Sequence, residues 1–150
     1  MQHFLPGKSC KMEKQFMKSS NYLLECCVDS AYSARMAKKG GADRLELCSN
    51  LVIGGTTPTL ALYEQIRNQT DIRIHVLIRP RFGDFLYSED ETALICKEID
   101  AFRAAGADGV VIGSLSPNGS LCTEQLKRFR EHARDMSVTL HRAFDMCRDP

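Results

Sequence analysis

The chain has 150 residues, enough for one domain with a real core, since a domain of this size buries roughly 70% of its unfolded surface. Its 20 Lys and Arg nearly balance 19 Asp and Glu, which excludes the broad basic field that nucleic acid or an anionic membrane would require. No apolar run approaches the roughly 18 residues of a membrane span, and no signal-peptide core stands at the start.

Residues 1–20, "MQHFLPGKSCKMEKQFMKSS", are basic through Lys8, Lys11, Lys14 and Lys18 but hold Glu13 and no Arg, unlike a mitochondrial transit peptide. They are expected to be a disordered leader, with the folded part over residues 21–150. Seven cysteines, at 10, 26, 27, 48, 96, 122 and 147, are an odd number with no C-x-x-C spacing. That fits neither a disulfide framework nor a zinc ribbon, and points to reduced thiols in a cytoplasmic protein, with the nucleus also open.

The folded part then repeats one organisation. "YLLECCVDS" (22–30) reads as a strand, and the helical pattern behind it has Ser30 as N-cap and Gly40 and Gly41 at its end. "ADRLELCS" (42–49) is a second strand; after "NLVIGGTTP", Thr57 is expected to cap a helix with Pro58 in its first turn. "DIRIHVLIRPR" (71–81) is a β-branched third strand, and Ser88 with Glu91 forms a capping box for the helix that runs to Ala105. "ADGVVIGSL" (107–115), "CTEQLKRFREHARD" and "SVTLHRAF" (137–144) supply a fourth strand, a fourth helix and a fifth strand.

Strands alternating with helices in this way imply right-handed βαβ crossovers and a parallel sheet, so the fold class is α/β. Residue parity decides between an open doubly wound sheet and a barrel. Leu24, Cys26 and Val28, Leu45 and Leu47, and Ile74, Val76 and Ile78 fall on one face; Glu25 and Cys27, Glu46 and Cys48, and His75 and Arg79 fall on the other. A doubly wound sheet needs both faces apolar, whereas a (β/α)₈ TIM barrel carries helices on the outside only. The expectation is therefore one curved sheet of order 1-2-3-4-5 with all four helices on its convex face. A full barrel takes roughly 250 residues and eight strands, so the sequence reads as the front of one, a barrel truncated to about five strands and four helices. The polar cluster in "TLHRAFDMCRDP" is then a strand-end site, with His141 facing Glu25, Glu46 and Arg79 and open to solvent. The alternative is a small complete sheet in which His141, Arg142 and Asp145 are a solvated tail.

"ECCVDS", "GGADRLELCS", "GGTTPT", "IRPR", "GDFLYS", "ADGVVIG" and "HRAFDM", in this order and spacing, resemble the CutC copper-homeostasis family from about Leu23 to Pro150. The resemblance implies a TIM barrel, a cytoplasmic location, a link to copper and a tendency to form homo-oligomers. One departure is Phe82, where the family usually has a second Gly, which matters if that position needs φ > 0.

Glu-x-Cys occurs at Glu25/Cys27 and again at Glu46/Cys48. Parallel strands lie about 4.8 Å apart, so with matched register the two thiolates would face each other. Two soft ligands suit Cu(I) better than Zn, and the resemblance supports Cys27 and Cys48 as the metal ligands, with copper ion as partner. The competing reading is that each thiol packs as a small hydrophobe, as expected for Cys26. A second class of function is open: Glu25, Glu46, Arg79, His141, Arg142 and Asp145 are the materials of general acid–base catalysis on an anionic substrate, against which stands a plain ionic layer pairing Glu25 and Glu46 with Arg44 and Arg79. "GGTTP" before a helix could also cradle a phosphate. The third class is a fragment that binds nothing and pairs through its sheet edges.

Overall fold

A computed structural model describes residues 22–149; the leader expected over residues 1–20 lies outside them. The elements in chain order are β1 (Glu25–Val28), α1 (Ala31–Gly40), β2 (Arg44–Leu47), α2 (Leu60–Arg67), β3 (Arg73–Leu77), α3 (Glu89–Ala104), β4 (Gly109–Ile112), α4 (Thr123–Ala133) and β5 (Ser137–Leu140). All neighbouring strands are parallel, in the order β1-β2-β3-β4-β5. This is the α/β arrangement of a (β/α)-barrel over five strands and four helices.

Local chemistry sets most boundaries as the sequence suggests. Ser30 Oγ accepts the Ser33 amide at 3.1 Å to start α1, and Gly41 ends it in the left-handed region at φ 98°. Ser88 and Glu91 form the complete capping box of α3. The start of α2 is different: Thr59, not Thr57, caps it, accepting the Leu62 amide at 3.2 Å. Thr57 is drawn toward the chain just past β3 instead, where its hydroxyl accepts the Arg79 amide and donates to Glu98, both at 2.9 Å. The fifth strand is also shorter than expected. His141 still donates its amide to the Ile112 carbonyl, but the Phe144 amide turns back onto the His141 carbonyl, so residues 142–146 form turns. The chain expected as strand to Phe144 thus folds over the strand ends.

The two faces of the sheet are unlike. Val28, Leu45, Leu47, Ile74, Val76, Ile78, Val110 and Ile112 form one continuous core with Ala34 of α1, Tyr63 and Ile66 of α2, Ile95, Ile99 and Phe102 of α3 and Phe129 of α4. Tyr63 and Phe102 meet edge to face at 5.7 Å, an arrangement that aromatic quadrupoles favour. All four helices therefore cover one face. Cys26 packs against this core and Cys96 lies within it, as expected for thiols used as small hydrophobes. No helix among the described residues is long and apolar enough to cross a membrane.

Candidate functional site

The other face carries a separate apolar cluster of three residues, Cys48, Leu77 and Val111. Above it, at the carboxyl ends of the strands, opens a cavity of about 410 Å³, within the range of small-ligand sites. Glu25 and Cys27 of β1, Glu46 of β2, Cys48 just past it, Arg79 beyond β3, and His141, Arg142 and Asp145 beyond β5 all line it. The structure thus brings every sequence-nominated residue to one place. Leu51, Gly54 and Gly55, Phe85, Thr139 and Leu140 complete the wall; apart from Thr139, which shares the parity of His141, and Leu140 at the end of β5, these come from loops that no periodicity marks.

The register of β1 and β2 differs from a matched Glu-x-Cys repeat. Glu25 pairs with Arg44 and Cys27 with Glu46, an offset of two residues, so the thiols are diagonal neighbours rather than opposite each other. Cys27 is exposed; Cys48 is buried and its Sγ donates to the Val28 carbonyl at 3.5 Å. Desolvation, followed by the charges of Glu46 and Glu25, pushes the Cys27 thiol up to about 11. Desolvation, then Glu46 and Cys27, pushes Cys48 up to about 12. Both are thiols, not thiolates, at neutral pH. The Glu46 carboxyl is raised by burial and by Glu25, against the thiol of Cys27 and Arg44, which lower it.

The ionic layer forms only in half. Glu25 pairs with Arg44, but Arg79 has no carboxylate partner among the described residues. Its guanidinium donates instead to the carbonyls of Gly54 (3.2 Å), Gly55 (3.0 Å) and Gly83 (2.8 Å), and its centre lies 4.8 Å from the Phe85 ring. Arg79 therefore ties together the loops after β2 and β3. The left-handed turn of the latter is taken by Gly83 at φ 96°, not by Phe82, so Phe82 fits the loop without strain. "GGTTP" does not cradle an anion: the amides of Gly54, Gly55, Thr56 and Thr57 are spent on the carbonyls of Leu51, Asn50, Ser49 and Arg79.

His141 faces the cavity with the acids, but it is enclosed rather than open. Its ring packs 4.8 Å from Phe85, and its Nδ1 accepts the Ala143 amide at 3.1 Å. Its Nε2 is buried without a partner among the described residues. Burial first, then the charge of Arg79, push it down to about 4, so the ring is neutral near pH 7. Among the described residues no group of three or more His, Cys, Asp or Glu is placed to hold a metal; the donor set on offer is a pair of thiols.

Helices on one face and a strand-end cavity on the other define a protein of the (β/α)-barrel class, and comparison with known proteins narrows the class. Residues 22–150 match the CutC family, and the chain belongs to it. It is 48% identical over 130 residues to a CutC family protein of Bacteroides fragilis, covering 86% of this chain and 52% of that one. It is 41% identical over 150 residues to the copper homeostasis protein cutC homolog of Mus musculus, covering 96% and 55%. The chain spans about half the length of these relatives. Among solved structures, a protein described as the copper homeostasis protein CutC of Streptococcus agalactiae superimposes with a TM-score of 0.77 at 28% identity, over 84% of this chain and 62% of that one. A protein described as a phosphonomutase from Burkholderia cenocepacia shares the fold alone, with a TM-score of 0.55 at 22% identity over 79% and 53%.

Proposed function

We propose that the protein binds Cu(I) as cargo through Cys27 and Cys48, in keeping with the copper-homeostasis names of its relatives. The observation that carries the reading is that thiols from consecutive strands line the same cavity, one exposed and one buried. Two soft donors without a third are a poor set for zinc, which takes four ligands in structural sites, and suit a soft monovalent ion. Binding would form two Cu–S bonds and release the two thiol protons; Glu46, beside Cys27 in the register, is the nearest base. The six cysteines among the described residues are free of disulfides, which supports action in the reducing cytosol. The outer edges of β1 and β5 have no strand beside them among the described residues and are the surfaces through which copies would associate.

The test is titration with Cu(I) under anaerobic, reducing conditions against a competing chelator. Binding is expected to be lost in Cys27→Ser and Cys48→Ser and kept in Cys26→Ser and Cys96→Ser. Equal loss in all four variants would mean non-specific thiol chemistry, and full binding by the Cys27/Cys48 double variant would remove the proposal.

A further inference from the structure

In the same cavity, two guanidinium groups converge on one spot. Nη1 of Arg142 and Nη1 of Arg79 lie 2.9 and 3.4 Å from a single point, the place a Cβ on Gly54 would take. Both flank the Phe85 ring, with their centres 4.8 Å (Arg79) and 6.0 Å (Arg142) from its centroid. Neither has a carboxylate partner among the described residues; Asp145 lines the same cavity but pairs with neither. Arg79 is buried, its Nη donors are held by carbonyls, and its Nε is unpartnered.

Two cations brought together in a partly dry cavity repel each other, and an anion placed between them reverses the sign of that interaction. The bare α-carbon of Gly54 leaves the space where the guanidiniums meet; any side chain there would fill it, and φ +88° already restricts the position to Gly. Arg142 is exposed at the cavity mouth, its planar fork free of any ion pair among the described residues, the geometry that matches carboxylate and phosphate oxygens. Leu77, Val111 and Phe85 give the cavity an apolar floor and side, so the body of the ligand is carbon rather than water. We propose that this end of the cavity binds the carboxylate or phosphate group of a small organic acid, with Arg142 supplying the hydrogen bonds and Arg79 the field. The site shares the cavity with the thiols but uses none of them, so it stands whether or not copper binds.

Calorimetric titration of the full chain with malate, glycolate, glycerol 3-phosphate and inorganic phosphate, with glycerol as the neutral control, tests this. Saturable binding by at least one organic anion and none by glycerol is expected, weakened about tenfold or more in Arg142→Ala and unchanged in Cys27→Ser. Preference for malate or for glycerol 3-phosphate assigns the head group. Relief of the repulsion with Arg79 should leave the unliganded Arg142→Ala protein melting at or above the wild-type temperature. Absence of saturable binding by every anion overturns the proposal, as does equal affinity in wild type and Arg142→Ala. Should that variant fail to fold, Arg142→Gln is read by the same criteria; a lower melting temperature with unchanged anion affinity would make Arg142 a structural residue only.

Discussion

The two faces of one sheet are made from alternate residues of the same strands, yet they do opposite work. On the helix face, Leu45, Ile74, Val76 and Val110 are wholly buried in a core that runs through all four helices. On the cavity face, three apolar residues form a floor beneath unpartnered or half-partnered polar groups: His141 Nε2, Arg79 Nε, and thiols held protonated. Stability comes from the first face, and the second spends some of it to hold polar groups in a partly dry cavity. Such a division is what a barrel-type sheet permits, because helices cover one side only.

Substitutions on the helix face should show the largest effects. Ile74→Ala removes a side chain packed on every side and should cost about 3–5 kcal/mol in urea unfolding. Leu77→Ala, next along the same face as His75 and bordering an existing cavity, should cost less, about 2–3 kcal/mol. Equal costs would mean that the cavity face is packed as a second core. The next effect is pH-dependent. His141 ionises near 6.5 when unfolded and is pushed down to about 4 in the fold, so the unfolded chain binds the extra proton first. Stability attributable to this ring is intact above pH 6.5 and lost as pH falls toward 4, by up to about 3 kcal/mol. His141→Gln should flatten that part of the profile; an unchanged acid limb would show that the ring is freely protonated.

Much of this division was legible in the residues, because parity along a strand is a strict period. Ile74, Val76 and Ile78 against His75, Leu77 and Arg79 gave both the helix face and the cavity face, and with them the gathering of Glu25, Glu46, Arg79 and His141; Arg142 and Asp145 join them from the turn after β5, which parity does not reach. Register was not legible: nothing in "ECC" and "ELC" says that Glu25 will pair with Arg44, which displaces the thiols by two residues. Nor was the competition for Thr57, whose hydroxyl is taken by the Arg79 amide 22 residues away, leaving Thr59 to cap α2. Long-range hydrogen bonds of that kind overrule local capping patterns. Arg79 itself has the charge for an anion site, but its Nη donors are held by loop carbonyls, while Arg142, in the turn after β5, keeps its donors free of any ion pair among the described residues.

The smallest effect on stability should come from Cys27, which is exposed, and there the measurement turns to copper. With Cys27 and Cys48 pushed up to about 11 and about 12, both carry protons at pH 7, and a Cu(I) ion bound by the two sulfurs must displace them. Proton release during anaerobic Cu(I) titration in weakly buffered solution should therefore approach about two protons per bound ion, with affinity rising as pH rises. Tight binding that releases no protons, or the same release from the Cys27/Cys48 double variant, would contradict the assignment of these thiols as the copper ligands.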